Sequence, residues 1–295
     1  MITIRQLRYF DALARARHFG RAADSVGVSQ PALSMQIREL EATLGGSLVE
    51  RGSGQLHLTA LGGEVAERAK SILSDLRGVE ELAAARAAPL TGQMRLGVIP
   101  SVAPYLLPHL FPLLSERYPD LRLSLREAIT EDIVNELKDG ALDAIVISVP
   151  SDDPALEEAD AVRDAFLLAA PADSEAAGGE RITPADVAAD SLLLLADGHC
   201  LRDQALSVCH MIDPKRLRSF GATSLTTILA MVAAGQGVTL LPELAVDEAV
   251  RRDPRLRLVR FADPQPGRTL GVAWRRGSPR AGDYRALRDA IAEVV

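Results

Sequence analysis

The sequence predicts an all-α N-terminal region containing a helix-turn-helix, then one long helix, then an α/β region built on a mostly parallel sheet. Residues 1–58 place apolar side chains at helical spacing, with turn signals between the groups. Residues 59–88 repeat apolar side chains in alternating steps of four and three. From Gln93 onward, short apolar strands alternate with helical segments, which is typical of an α/β domain. With 295 residues, 47% of them hydrophobic, the chain is long enough for two or three domains.

The helix-turn-helix prediction depends on three helices close together. Apolar spacing describes a first helix over residues 3–17 and a second over residues 20–26. A third begins after Ser29 and ends at the glycine pair at residues 45–46. The outer face of this third helix carries short hydrogen-bonding groups suited to base edges and phosphates, namely Ser29, Gln30, Ser34, Gln36 and Arg38. An ordinary solvated helix face is the alternative interpretation.

The long helix over residues 59–88 carries a heptad seam, along which two chains can pair. The seam consists of Val65, Ala69, Ile72, Leu76, Val79 and Ala83. Because the stretch is also rich in alanine, a helix that packs within its own chain is the alternative. Pro89 and Gly92 then end the helix and predict a hinge over residues 89–93.

The region beyond the hinge alternates strand and helix. Strands are predicted at residues 94–100, 121–128, 142–149, from 165 onward, at 237–242 and at 269–274. Helices are predicted at residues 105–118, 132–140, 201–208, 225–234 and from 282 onward. This order favours a mostly parallel sheet covered by helices.

The two cysteines of the chain, Cys200 and Cys209, have eight residues between them. If those residues form a helix, the two Cα atoms lie roughly 13 Å apart. A disulfide needs about 4.4 to 6.8 Å, so bond formation would break the helix and oxidation would act as a conformational switch. Cys200 is the expected attacking sulfur, because it stands at the helix N-terminus with His199 and Arg202 nearby, which favours the thiolate.

Two other interpretations of the cysteines remain. Free cysteines in a reducing compartment are usually buried and inert. A zinc site formed with His199 and His210 would also use both cysteines, but neither half has the ligand spacing of such sites.

Charge and hydropathy limit the classes of function. The net charge is -7, yet residues 1–58 hold seven arginines and no lysine against five acidic residues. DNA binding would therefore depend on a few well-placed contacts and on oligomerisation. No apolar run approaches the roughly 18 residues of a membrane span. The opening MITIRQLRYF carries arginines where a signal peptide is apolar, so we expect a cytoplasmic protein without a membrane partner.

Two stretches resemble a known family. The stretch AADSVGVSQPALSMQIRELEATLGGSLVER resembles the winged helix-turn-helix of LysR-type transcriptional regulators. The string DGHCLRDQAL, followed by Cys209, resembles the peroxide-sensing segment of the hydrogen-peroxide-responsive members of that family. The resemblance implies a two-lobed effector domain similar to periplasmic binding proteins and a linker helix that dimerises. The expected domains are residues 1–58, 59–88, the hinge 89–93, and 94–295, with lobe I at about 94–164 and 267–295 and lobe II at about 165–266.

The same resemblance implies roles for individual residues. Cys200 is expected to react with peroxide and Cys209 to resolve the product as a disulfide. The expected peroxide pocket consists of Ser101, Thr130, His199, Asp203 and Arg268. The expected DNA contacts are Ser29, Gln30, Pro31, Ser34, Arg38 and, in the wing, Arg51. From the residues alone, Ser101 and Thr130 fit equally well as turn or cap residues and Arg268 as a surface arginine. Ser101 also stands where a threonine is more usual in these proteins.

The function expected from the resemblance is a homotetrameric transcription regulator, without metal or other cofactor, that detects hydrogen peroxide and is not an enzyme. Its expected partners are a double-stranded DNA operator, RNA polymerase, and thioredoxin or glutaredoxin as the reductant. A LysR-type regulator that binds a small organic effector between its lobes is the first alternative. A thiol peroxidase is the second, although residues 1–58 would have no role in such an enzyme.

Overall fold

The computed structural model describes residues 1–50, 56–84, 89–174, 181–187, 192–209, 221–246 and 253–295. The chain divides into two compact units, Met1–Ala83 and Ala84–Val295. Among the described residues, no helix combines the length and apolar character that crossing a bilayer requires.

The first unit contains the three predicted short helices, a two-stranded hairpin and the long helix. Its elements are α1 (Ile4–Ala16), α2 (Phe19–Ser25), α3 (Gln30–Leu44), β1 (Val49–Glu50), β2 (His57–Leu58) and α4 (Ala60–Ala84). Local capping explains where the helices begin. The Thr3 hydroxyl accepts the N–H of Gln6, and the His18 Nδ1 atom accepts two N–H groups at the start of α2. Gly45 ends α3 in the left-handed conformation, with a φ of 73°.

The helix-turn-helix encloses its own apolar core. Phe10 and Leu13 of α1 pack with Leu33, Ile37 and Leu40 of α3, and all five are fully buried. Strands β1 and β2 pair antiparallel and form the hairpin that the resemblance predicted as a wing. The prediction of a winged helix-turn-helix is confirmed.

The apolar side chains of α4 lie in two different surroundings. Ala69 and Leu73 are buried against Leu7 of α1, so part of the helix packs within its own chain. Ile72 and Val79 are instead 37% and 62% exposed. The intrachain packing interpretation therefore applies to one face of the helix, and pairing of two chains along the exposed face stays a prediction.

The second unit holds an eight-stranded sheet with helices on its faces. Its strands are β3 (Gly92–Val98), β4 (Leu121–Glu127), β5 (Ala144–Val149), β6 (Leu156–Pro171), β7 (Arg181–Ile182), β8 (Thr239–Pro242), β9 (Leu256–Phe261) and β10 (Gly267–Arg275). Its helices are α5 (Ala103–Arg117), α6 (Thr130–Lys138), α7 (Cys200–Val208), α8 (Leu225–Ala233) and α9 (Ala281–Val294). The strand order is β4-β3-β5-β10-β6-β9-β7, and β8 also pairs with β6.

The sheet is mixed, so the expectation of a mostly parallel sheet is wrong. Among the described strands, β3 runs parallel to β4 and β5, and β7 to β9. The pairs β5–β10, β6–β10, β6–β8 and β6–β9 are antiparallel. One reason is that β10, near the end of the chain, inserts in the reverse direction between β5 and β6; β8 and β9 also run opposite to β6. Local alternation of strand and helix does not encode such a distant pairing.

Two apolar cores define two lobes in this unit. The first lobe surrounds the core formed by β3, β5, α5, α6, β10 and α9. The second lobe surrounds the core formed by β8, β9, α7 and α8. Strand β6, which is 16 residues long, contributes its first half to the first core and its second half to the second. The two-lobed α/β prediction is confirmed.

Candidate functional site

Helix α7 separates the two cysteines. Cys200 is its first residue and Cys209 caps its C-terminus, and both thiols are free. A helix of this length holds the two Cα atoms roughly 13 Å apart, about twice the reach of a disulfide. The helix predicted between the cysteines is therefore present, and no disulfide is compatible with it.

The turn before α7 lies against the start of α6. Gly198 has a φ of +89°, and a Cβ atom built on it would lie 2.9 Å from Cδ1 of Ile129. Glycine is needed here both for its backbone conformation and for this close approach. Because Ile129 is the N-cap of α6, the turn before α7 contacts the residue that precedes Thr130.

Thr130, the residue after Ile129, has a buried hydroxyl. It is the first residue of α6, and Ile129 rather than Thr130 is the N-cap. Its Oγ1 atom is buried and has no hydrogen-bond partner within the part of the chain that the structure describes. A buried hydroxyl without a partner is unfavourable, so this oxygen is available to a small polar ligand.

Ser101 and Arg268 are joined directly and are both buried, at 3% and 4% exposure. Nη1 of Arg268 donates to Oγ of Ser101 at 2.8 Å, and Nη2 donates to its carbonyl at 3.2 Å. Nε of Arg268 donates to Asp164 at 2.9 Å. Arg268 is thus not a surface residue, and the Ser101 hydroxyl binds Arg268 instead of capping α5, which has Val102 as its N-cap.

The charges around Cys200 differ from the sequence expectation. His199 is buried, and this burial lowers the pKa of its imidazole, so near neutral pH it is uncharged and brings no positive charge to the thiol. Nε of Arg202 forms an ion pair with Asp197 at 2.9 Å, and Nη1 donates to the carbonyl of Leu195. The charge expected from His199 is therefore absent, whereas the expected contribution of Arg202 to thiolate formation stays a prediction.

The two thiols lie in different surroundings. Cys200 is partly exposed and packs against the core of the first lobe. Cys209 is 8% exposed and lies in the core of the second lobe, where burial raises the pKa of its thiol to about 11. Asp203, in the first turn of α7, is exposed.

Gln204 is a candidate residue that the sequence analysis missed. It follows Cys200 by four positions, so both side chains lie on one face of α7. Its Nε2 atom donates to Oγ of Ser148 on β5 at 2.8 Å, which ties α7 to the first lobe. Its Oε1 atom is buried and has no hydrogen-bond partner in the described chain. The i, i+4 spacing from Cys200 was the signal that could have found it.

The expected DNA-contacting residues lie at the start and along one side of α3. Ser29 caps the helix by accepting the N–H of Ala32 at 3.4 Å. Gln30, Pro31 and Arg38 are exposed, Ser34 is partly buried, and Gln36 donates to Glu39. Arg51 lies outside the described residues. Within the described chain, no group of His, Cys, Asp and Glu could hold a metal ion, and His210 of the zinc alternative also lies outside it.

A winged helix-turn-helix followed by a two-lobed α/β unit defines a class of DNA-binding regulators with a sensing domain. Residues 4–63 match the model of the bacterial regulatory helix-turn-helix protein of the lysR family, and residues 87–295 match the LysR substrate binding domain. The chain therefore belongs to the LysR family, and within it to the OxyR group of transcription regulators. The prediction of a regulator rather than an enzyme is confirmed.

The relatives support this assignment over nearly the whole chain. The DNA-binding transcriptional dual regulator OxyR of Escherichia coli K12 is 41% identical over 290 residues, which cover 98% of this chain and 95% of OxyR. Full-length OxyR from Pseudomonas aeruginosa, solved as a variant, has a TM-score of 0.80 at 35% identity and covers 100% and 99% of the two chains. A hydrogen-peroxide-bound OxyR mutant from Corynebacterium glutamicum has a TM-score of 0.68 at 33% identity, covering 99% and 92%.

Proposed function

We propose that this chain detects hydrogen peroxide by oxidation of Cys200, joins Cys200 to Cys209 as a disulfide, and thereby changes how it binds a DNA operator. The observation that carries the proposal is the pair of free thiols at opposite ends of one intact helix. One thiol is partly exposed and lies next to the turn that contacts α6, and the other is buried. The peroxide-bound and oxidised OxyR structures from C. glutamicum support the same chemistry in relatives.

The first step is attack of the Cys200 thiolate on one oxygen of hydrogen peroxide. A sulfur–oxygen bond forms, the oxygen–oxygen bond breaks, and hydroxide leaves and takes up a proton to become water. The sulfur loses two electrons and becomes a sulfenic acid. Peroxide is small and polar, so its oxygens need hydrogen-bonding groups near the thiolate. The unpartnered atoms Thr130 Oγ1 and Gln204 Oε1 are suited to this, together with the predicted pocket residues Ser101, His199, Asp203 and Arg268.

The second step is condensation of the sulfenic acid with the Cys209 thiol. The disulfide forms and one water molecule leaves. Because α7 holds the Cα atoms roughly 13 Å apart, the helix must unwind before the sulfurs can meet. Cys209 must also leave the second core, where its raised pKa keeps it protonated. Oxidation would therefore remodel the second lobe, and two electrons and two protons from thioredoxin or glutaredoxin would reverse it.

The remodelled lobe would act on DNA through the other parts of the chain. Residues 1–58 are the proposed DNA-binding domain, with contacts from Ser29, Gln30, Pro31, Ser34, Arg38 and Arg51. Residues 59–88 are the proposed dimer linker, for which the exposed Ile72 and Val79 of α4 are suited. The regulatory domain consists of lobe I (about 94–164 and 267–295) and lobe II (about 165–266). The hinge at 89–93 would pass its change in conformation to the linker helix. A cytoplasmic homotetramer that contacts RNA polymerase completes the proposal.

Operator footprints test the proposed function. Wild-type protein is compared before and after peroxide with Cys200→Ser and Cys209→Ser, in the full-length chain. We expect the wild-type footprint to change on oxidation and both variants to keep the reduced footprint, because neither can form the disulfide. A normal peroxide response in Cys200→Ser would overturn the proposal. A change in the footprint caused by a small metabolite under fully reducing conditions would favour the organic-effector alternative.

A further inference from the structure

Asp164 and Arg268 form a buried ion pair where the two lobes meet. They face each other across the β6–β10 ladder, and both side chains are only 1% exposed. On one side of the pair, β10 joins β5 from Thr269 onward; on the other, β6 joins β8 from Phe166 onward. The pair therefore stands at the boundary between the first and second lobes.

Asp164 connects residues from both lobes. One carboxylate oxygen accepts Nε of Arg268 at 2.9 Å, and the other accepts the N–H of Leu244 at 3.0 Å. Leu244 follows β8 and packs against both cores. Through Arg268, the carboxylate also holds Ser101 of the first lobe. The hydroxyl and the carbonyl of Ser101 accept hydrogen bonds from Nη1 and Nη2 of Arg268.

This arrangement determines how the Ser101 hydroxyl is oriented. Its oxygen accepts a hydrogen bond from a cationic group, so its own proton remains free to be donated elsewhere. A guanidinium that lost the Asp164 carboxylate would be a buried charge without a counterion and would reorient. The position of the hydroxyl therefore depends on a carboxylate that it does not contact.

We propose that Asp164 is a positioning residue for the peroxide reaction: it fixes the Arg268 guanidinium, which in turn aims the Ser101 hydroxyl at the oxygen that leaves from peroxide. Negative charge develops on that oxygen as the oxygen–oxygen bond breaks, and an oriented donor stabilises it. Asp164 itself touches neither peroxide nor the thiol. This inference rests on the proposed function, because it assumes that Ser101 belongs to the peroxide site.

The test compares two reactions of Cys200 in full-length protein that also carries Cys209→Ser, so that oxidation stops at the sulfenic acid. The rate constant with hydrogen peroxide is measured by trapping the sulfenic acid and determining intact mass. The rate constant with iodoacetamide reports the reactivity of the same thiolate without a leaving oxygen to stabilise. For Asp164→Asn we expect the peroxide rate constant to fall roughly 10- to 100-fold while the iodoacetamide rate constant does not fall.

The chain offers a closely matched control in Asp283. It accepts Nε of Arg280 at 2.7 Å and the N–H of Leu90 at 3.2 Å, and Arg280 also binds two backbone carbonyls. Asp283→Asn therefore breaks a similar buried pair in the same unit, and we expect an unchanged ratio of the two rate constants. A ratio that is unchanged in Asp164→Asn, or lowered equally in Asp283→Asn, would overturn the inference.

Asp164→Asn leaves the Arg268 charge buried and could prevent folding, so a second variant is included. Asp164→Asn/Arg268→Gln removes both charges and leaves side chains that can bind each other, so we expect it to fold. Its ratio should be as low as that of Asp164→Asn, and a wild-type ratio would refute the inference. The reference is the Cys209→Ser protein with native Asp164. If it reacts with peroxide at Cys200 and the Asp164 variants have the same ratio of rate constants, only this inference fails. If that protein does not react, the proposed function fails as well.

Discussion

The two ends of α7 present the same side chain in opposite environments. At the N-terminal end, Cys200 is partly exposed and packs against the first lobe. At the C-terminal end, Cys209 is buried in the second lobe, and its pKa is raised to about 11. We therefore expect peroxide in solution to reach Cys200 of the folded protein, and Cys209 to react only when α7 unwinds.

In the proposed function, helix α7 therefore separates the thiol that would react with peroxide from the thiol that would complete the disulfide. Leu201 and Ala205 hold α7 on the second core, while Gln204 ties its other face to Ser148 in the first lobe. A sulfenic acid at Cys200 can form without disturbing these contacts. The disulfide cannot, because it requires Cys209 to leave its core.

The largest expected difference is in alkylation of the two thiols. In native protein at pH 8, iodoacetamide should modify Cys209 at least about 100-fold more slowly than Cys200. A thiol with a pKa of about 11 is about one-thousandth thiolate at this pH, and this one is also buried. Mass spectrometry of digests taken over time gives both rates. In denaturant the two rates should converge, and equal rates in native protein would contradict the assigned environments.

Loosening α7 should accelerate the switch. Leu201 is 4% exposed in the second core, so Leu201→Ala should lower the free energy of unfolding by about 2–5 kcal/mol. Because the contact holds α7 itself, the conversion of sulfenic acid to disulfide should be at least about tenfold faster. Non-reducing electrophoresis at intervals after a peroxide pulse measures the rate of disulfide formation. Leu229→Ala in α8 is the control, since Leu229 is equally exposed in the same core. If Leu229→Ala accelerates the step as much, local release of α7 is not the cause.

The parts of this contrast that depend on local sequence were predictable. The run LRDQALSV between the cysteines predicts helix α7, and apolar spacing and caps such as Ser29 predict the helix-turn-helix. In both cases the signal lies within a few residues of the structure that it determines. The exposed Ile72 and Val79 likewise follow from the heptad seam.

The parts that depend on distant pairing were not predictable. Asp164 and Arg268 are 104 residues apart, and nothing near either residue indicates that β6 and β10 bring them together. Arg268, which follows a proline and a glycine, fits a surface position until that pairing is known. The first half of β6 was also missed, because LEEADAVRD has five charged residues among nine instead of an apolar run. Burial of His199, which removes its charge, likewise depends on the fold and not on its neighbours in sequence.

The burial of Cys209 should make stability depend on pH in the alkaline range. In the unfolded chain the thiol loses its proton near its ordinary pKa of 9.0, whereas in the folded protein it keeps it up to about 11. The folded state thus binds more protons in this window, and stability falls as pH rises through it. The contribution of the Cys209 thiol to the free energy of unfolding is complete below pH 9.0 and is lost by about pH 11. Urea unfolding of reduced wild type and Cys209→Ser at several pH values measures it. Curves that stay parallel across this range would show that Cys209 is not desolvated.

A smaller effect of opposite sign is expected at the other end of α7. Burial lowers the pKa of His199, so below about pH 6.5 the unfolded chain binds a proton that the folded protein does not. The contribution of His199 to the free energy of unfolding is therefore present above that pH and is lost as the pH falls. The His199→Gln variant should not show this loss. Urea unfolding of both proteins between pH 5 and 8 measures the divergence. If the wild type instead gained stability relative to His199→Gln on acidification, His199 would be charged in the fold. The thiolate of Cys200 would then have a cation beside it, and exposure alone would no longer account for the difference between the two sulfurs.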